Sequence, residues 1–241
     1  MNAPGYFVTG TDTEVGKTLI ACALILQLRR TFPSLKISGF KPVVAGTYED
    51  TNGKRSNEDL LSLIAASGLA QTPSQICPYL LDTPAAPHLV AQALGLELSL
   101  KTILQSLSVV QAQSDRVILE GAGGFLVPLN ATESLADLAT QLNWPVVLVV
   151  GMRLGCLNHA LGSIEAIESR GLKVAAWVAN SIDAQMTYQQ ENLLDLQTRI
   201  RAPFLGHVPQ LPTELQKAAN APYSIPAMHW AGKHLDVGLL S

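Results

Sequence analysis

"GTDTEVGKT", residues 10–18, stands between a short apolar run, "YFVT" at 6–9, and the apolar stretch "LIACALIL" at 19–26. A helix that begins at the second glycine points several unpaired backbone N–H groups, and the positive end of its dipole, at whatever lies above Gly16 and Lys17. That place suits an anion. The usual phosphate loop, G-x-x-x-x-G-K-[ST], has one residue fewer in the gap that Thr11–Val15 fills here. The ending Gly16-Lys17-Thr18 keeps the residue types and their order, with Lys for the outer phosphates and Thr for Mg²⁺. Its place at a strand-to-helix junction is the context such a motif requires. A glycine turn with a solvated lysine would explain neither Thr18 nor the apolar flanks, so nucleotide binding is the reading.

Working outward, short β-branched apolar runs alternate with longer helical patterns. The runs are "YFVT", "LKISGF" around Ile37, "RVILE" ending at Glu120, "PVVLVV" at 145–150, "KVAAWVAN" at 173–180 and "FLGHV" after Pro203. Helical patterns cover 18–30, 57–66, 99–113, 157–169 and 187–200. This alternation predicts an α/β fold, P-loop NTPase-like, with a mainly parallel central sheet and helices on both faces. Val146–Val150 has no polar break, as a central strand covered on both faces requires. Every residue from Leu19 to Leu26 is apolar, so the first helix meets something beyond the sheet, for which a subunit partner would serve. The polar stretch 46–56 and the proline-bearing stretch 70–90 read as rim loops. The chain from about 209, with Pro209, Pro212, Pro222 and Pro226, reads as an irregular tail laid on a single domain spanning 1–241.

Composition narrows the partners. A chain of 241 residues, 48% of them apolar, can bury a sizeable core. Its net charge of -3, with no basic run, lacks the electrostatic footprint of a nucleic-acid binder or a membrane-surface protein, so the phosphate is expected on a small molecule. "MNAPGYFVTG" carries no signal-peptide pattern and no apolar run approaches membrane-spanning length, which predicts a cytoplasmic protein. Cys22, Cys77 and Cys156, odd in number and widely spaced, read as structural thiols.

Ligands of open parallel sheets bind outside the carboxyl ends of the strands. At those ends stand Lys41 in "KPVVAG", Glu120 with Gly121, Ala122 and Gly123 of "GAGG" behind it, and Asn180. Lys41 is either a second cation for a phosphoryl group or an exposed turn residue before a proline. Glu120 is either a metal-holding carboxylate or a cap on the glycine turn. Asp59, beside Asn57 and Glu58, is either a metal-side acid or an acid at a helix start. Thr18, Asp59, Glu120 and ATP oxygens would make the hard-oxygen set that Mg²⁺ prefers. The five histidines are scattered, and no nucleophile elbow is present.

"YFVTGTDTEVGKT", "KPVVAG", "NED", "VILEGAGG", "PVVLVVGMRLGCLNHA" and "KVAAWVANS", in that order over nearly the whole chain, together resemble the dethiobiotin synthetase family, in which the longer gap of the phosphate loop is usual. The resemblance implies a ligase that uses MgATP and CO₂ to close the ureido ring of dethiobiotin on 7,8-diaminononanoate, through a carbamate and a carbamic–phosphoric anhydride. It implies that Thr13, Glu14, Val15, Gly16, Lys17, Thr18 and Leu19 cradle ATP, and that Gly121–Gly123 border it. Thr13, Lys17 and Lys41 then serve the phosphoryl group, while Thr18, Asp59 and Glu120 hold Mg²⁺. Asn180, with Ser181 beside it, reads adenine, which the turn Pro209, Gln210 and Leu211 flanks. Gly155, Cys156, Leu157 and Asn158 offer backbone N–H groups to the substrate carboxylate of the neighbouring subunit, so a homodimer is implied. Two positions depart from the family: Ala45 replaces a hydroxyl residue, with Thr47 as a substitute, and Asn192 stands near a usual tyrosine, with Tyr188 one turn earlier. A switch ATPase of the partitioning or septum-placing type is the rival from another class. It usually needs an additional lysine early in the loop, and Thr11–Val15 contains none.

Overall fold

The computed structural model describes residues 4–49, 53 and 55–240. The first three residues of the N-terminal reading, and residues 50–52 and 54 of the 46–56 stretch, lie outside the described residues. The strands are β1 (Gly5–Gly10), β2 (Ile37–Phe40), β3 (Val43–Ala45), β4 (Tyr48–Glu49), β5 (Arg55–Ser56), β6 (Tyr79–Leu81), β7 (Arg116–Gly124), β8 (Val146–Met152), β9 (Val174–Ser181) and β10 (Phe204–Val208). The α-helices are α1 (Lys17–Thr31), α2 (Glu58–Ser67), α3 (Pro73–Ile76), α4 (Pro87–Ala93), α5 (Leu100–Gln111), α6 (Leu135–Leu142), α7 (Cys156–Glu168), α8 (Gln189–Arg199) and α9 (Ile225–Gly232).

Six strands in the order β10-β9-β8-β1-β7-β2 form one sheet in which every neighbouring pair is parallel. Successive side chains of a strand point to opposite faces. Phe7, Leu119 and Leu148 therefore join one core with α5, α6, α7 and α8, while Val8, Ile118 and Val147 join the other with α1, α2 and α9. The register places the functional ends together. Phe40 lies opposite Leu119, so the chain leaving β2 reaches Lys41 beside Glu120, and Gly151 at the end of β8 lies opposite Asn180.

Several expectations change in detail. α1 is apolar all round because the sheet, α2 and α9 enclose it: Met228 and Ala231 of α9, with Leu60 and Leu63 of α2, share its core. The second contact of α1 is the chain's own tail, so a subunit partner is not needed to explain it. The stretch after 208 is thus not wholly irregular, since Ser224 caps α9 and Pro226 sits in its first turn, where a missing N–H costs nothing. The stretch 70–90 holds α3, β6 and the start of α4, with Thr72 and Gln75 forming a reciprocal cap on α3. Tyr48–Glu49 and Arg55–Ser56 pair as a short antiparallel ladder within the polar stretch 46–56, which is therefore not loop throughout. "GAGG" is the continuation of β7 and not a turn, which places Glu120 inside the strand.

The tail is docked so closely that one backbone position is closed to side chains. Gly206 of β10 has φ 147°, and a Cβ there would stand 1.8 Å from the carbonyl oxygen of His234. Gly206→Ala is expected to lower the unfolding free energy by about 2–3 kcal/mol, read from urea denaturation. A loss within measurement error would show that the turn after α9 yields freely.

Candidate functional site

The loop between β1 and α1 bends through two left-handed residues, Glu14 at φ 59° and Gly16 at φ 83°. For glutamate that conformation carries strain of about 1–2 kcal/mol. At Gly16 a Cβ would lie 2.2 Å from Nδ2 of Asn180, so only glycine fits there. The Asn180 amide donates to the carbonyl of Val15 at 2.9 Å, tying the end of β9 to the loop and leaving its Oδ1 as an acceptor. Thr13 and Glu14 are exposed, Val15 and Leu19 are buried, and Gly16 is half-buried. Lys17 is buried and donates to the carbonyl of Asp12 at 2.8 Å. No side chain caps α1, so its first-turn N–H groups remain available.

Behind the loop lies a charged cluster in which Lys41, Glu120 and Thr18 are buried and Asp59 is half-buried. Lys41 Nζ stands 2.5 Å from Asp59 Oδ2 and 2.7 Å from Glu120 Oε1, and the Thr18 hydroxyl donates to Glu120 Oε1 at 2.7 Å. Glu120 is fully buried, and its Oε2 has no hydrogen-bond partner. Asp59 is placed by local chemistry: Asn57 caps α2 by accepting from the Asp59 N–H at 3.0 Å. Burial pushes the Glu120 carboxyl above its usual range, against the pull of Lys41. For Asp59 burial works in the same direction but Lys41 prevails, holding that carboxyl below its usual value. Burial would lower Lys41, yet Asp59 and Glu120 hold it above its ordinary value. Lys17 has no such direct partners, and burial pushes it down to about 8, opposed by Glu120 and reinforced by Lys41.

The other sequence-derived residues stand on neighbouring strands, helices and loops. Gly121 is buried in β7; Ala122 and Gly123 follow it, half-buried, and a Cβ on Gly123 would meet the Thr13 hydroxyl at 3.4 Å. Ser181 follows Asn180, its hydroxyl 2.7 Å from His207 Nε2. Pro209, Gln210 and Leu211 leave β10 on the same rim, with Leu211 packed against the core. Gly155 (φ 94°) starts α7, whose first turn, Cys156, Leu157 and Asn158, also lacks a side-chain cap. Ala45 ends β3, and the Thr47 hydroxyl donates to the Asp82 carboxylate, which pairs with Arg55 as well. Tyr188 is exposed and Asn192 bonds back to its carbonyl at 2.8 Å.

Three features escaped the sequence reading. Arg153 pairs with Asp12, linking the phosphate loop to the segment that starts α7. Lys217 lies 3.8 Å from Glu58 and above the ring of Tyr223, so the tail leans on the start of α2 that carries Asp59. His207 fixes Ser181. The residues of these pairs are far apart in the chain or unremarkable in type, and no spacing rule brings them together.

A glycine-lysine-threonine loop at the carboxyl edge of a parallel sheet, with a helix N-terminus above it, defines a P-loop nucleotide-binding protein. Consistent with this, residues 4–217 match the family model described as an AAA domain. Solved structures share the fold: a ParA family ATPase from Chlorobium tepidum superposes with TM-score 0.53 at 13% identity, covering 96% of this chain and 98% of that one. MinD cell division protein from Aquifex aeolicus gives TM-score 0.52 at 13% identity, with 96% and 95% covered. Sequence relatives are narrower in kind. The ATP-dependent dethiobiotin synthetase BioD of Ralstonia nicotianae is 43% identical over 97% of this chain and 96% of its own. That of Aromatoleum aromaticum is 48% identical over 86% and 90%. The chain belongs to the dethiobiotin synthetase family, and is a ligase.

The cluster separates the two lysines energetically. Removing Lys41 leaves the buried Glu120 carboxylate without its cation and close to half-buried Asp59, so Lys41→Met is expected to lower unfolding free energy by about 3–5 kcal/mol. Lys17→Gln removes a cation that burial already disfavours and should cost about 1 kcal/mol or less. Urea denaturation of the ligand-free variants measures both; equal losses would mean that Lys41 does not neutralise the cluster.

Proposed function

We propose that the protein closes the ureido ring of dethiobiotin on 7,8-diaminononanoate, using CO₂ and ATP, and that the Lys41–Glu120–Asp59–Thr18 cluster below the α1 N-terminus is its phosphoryl-transfer centre. That cluster carries the reading. A structural ion pair needs neither an orphaned carboxylate oxygen nor an adjoining helix end with free N–H groups, and both lie beside Lys17.

In this reading the first-turn N–H groups of α1 and the Lys17 amine bind the β- and γ-phosphates, and a bound phosphate keeps Lys17 protonated despite its burial. Asn180 presents Oδ1 to the adenine amino group because Nδ2 is already committed to Val15. Ser181 and the Pro209–Leu211 turn border the base. Among the described residues no three His, Cys, Asp or Glu side chains gather as a metal site. Two carboxylates and a hydroxyl, with Glu120 Oε2 unpartnered, nevertheless fit Mg²⁺, which takes oxygen ligands and keeps several waters. Thr18, Asp59 and Glu120 would hold it, and it would supply charge neutralisation for the phosphate oxygens.

The substrate brings its own nucleophiles. One amine adds to CO₂ and loses a proton, giving a carbamate whose oxygen attacks the γ-phosphorus as the bond to the β-phosphate oxygen breaks and ADP leaves. The second amine then attacks the carbamoyl carbon and expels phosphate, closing the ring. Lys17 and Lys41 stabilise charge that grows on the transferring group, which is worth more in a water-poor site. The uncapped first turn of α7 would receive the carboxylate of substrate bound to a second copy, in a homodimer. Leu154, just before that turn, is 93% exposed, as a residue awaiting a partner surface would be.

Purified protein with MgATP, bicarbonate and 7,8-diaminononanoate is expected to yield a product that has gained one carbonyl and lost two hydrogens, detected by mass spectrometry and dependent on ATP. Folded, ATP-binding protein that forms no such product would refute the assignment. Lys17→Gln should lower kcat by at least about a hundredfold. Asn180→Ala should mainly raise KM for ATP and relax the preference for adenine over cytosine triphosphate; intact base preference would place adenine recognition elsewhere.

A further inference from the structure

Away from this centre, at the other end of α1, a cleft of about 590 Å³ opens among α1, the chain entering β2, the end of α2 and α9. Its volume lies within the range of small-molecule sites. Four basic or ionisable side chains line it, Arg29, Arg30, Lys36 and His229, and no Asp or Glu does. Among the described residues none of the four has a carboxylate within ion-pair distance. The nearby carboxylate of Asp115 accepts from the backbone N–H of Lys36 at 2.7 Å and is not part of the lining. Leu26, Leu35 and Leu69 give the lining an apolar part.

Arg29 and Arg30 also answer the negative end of the α1 dipole. That accounts for two cations but not for Lys36 and His229, which arrive from other elements. Arg29 is held in place: its Nη1 donates to the carbonyl of Ala66 at 2.6 Å, and a Cβ on Gly68 would lie 2.8 Å from both terminal nitrogens of the guanidinium. In a chain of net charge -3, one-sign charge gathered in a concave surface focuses the local field. We infer that this cleft is a second ligand site, which takes a small phosphorylated compound with its phosphate on Arg30, Lys36 and Arg29 and its carbon body against the lining leucines. Guanidinium and ammonium donors bind a dianionic phosphate through charge-assisted bonds. α1 runs roughly 20 Å from Lys17 to its far end, so the cleft is separate from the nucleotide phosphates.

Fluorine NMR titration with para-fluorophenyl phosphate tests this on the wild type, on Lys17→Gln and on Arg30→Ser/Lys36→Ser. Saturable binding should survive Lys17→Gln and weaken at least about tenfold in the double variant, whose Tm should stay that of the wild type because both residues are exposed. If the double variant is unstable, Lys36→Ser alone serves, with a smaller loss of the same sign. No saturable binding to Lys17→Gln, or undiminished binding to the cleft variants, would overturn the second site. Equal affinity for para-fluorobenzoate, lost in the same variants, would overturn the phosphate assignment in favour of a carboxylate. The titration does not depend on turnover, so its failure leaves the ring-closing activity untouched, and failure of that activity leaves the cleft standing.

Discussion

Glu120 is a fully buried carboxylate inside a strand of a parallel sheet, and the site is arranged around the need to neutralise it. Unpaired, such a charge would cost several kcal/mol. Lys41 answers it from the end of the neighbouring strand, Asp59 completes the cluster from the start of α2, and Thr18 donates from the first turn of α1. Three elements are therefore fixed to one another at the point where the phosphate loop ends. The same residues that solve a burial problem form a set of hard oxygens and cations.

The pairing also sets the character of the two lysines. Lys41 is locked between carboxylates and stays charged, whereas Lys17 lies in a buried place with only a carbonyl for a direct partner, which makes it responsive to an arriving anion. Ligand-free stability draws on the attraction between Lys41 and its two carboxylates. The fold is shared with ParA and MinD proteins, and a fold by itself does not fix the chemistry it carries.

Much of the architecture was legible because the periodicities are strong. Six apolar runs became the six parallel strands, and the long helical patterns became α1, α2, α5, α7 and α8 to within a few residues. What the reading lost were short elements whose stability is tertiary. β3 and β6 are three residues each and exist by pairing with one another. α9 has eight residues and is held by the apolar surface of α1. α6 was overlooked although its signal was present, since Ser134 and Asp137 form a reciprocal cap. "GAGG" suggested a turn because glycine usually ends strands, but pairing with β1 up to Gly124 carries β7 through it.

By itself the sequence determined the phosphate loop, the parallel sheet and the placing of Lys41 and Asn180 at the carboxyl ends of their strands, because each follows from residue type and local period; Glu120, expected at a strand end, lies inside β7. Whether Lys41 was a turn residue or a second cation, and whether Asp59 was a helix acid or part of the site, it left open. Tertiary structure shows Lys41 buried and paired with Glu120 and Asp59, and Asp59 standing in the first turn of α2 as well as against Lys41, through the register that sets Phe40 beside Leu119 and the docking of α2 against α1. It also decided that the apolar flank of α1 is covered by the chain's own tail, and that Arg29 and Arg30 of α1, Lys36 before β2 and His229 of α9 share one cleft. The physical reason is the same in each case: charge pairing and apolar burial between segments distant in sequence depend on distances that no local pattern encodes.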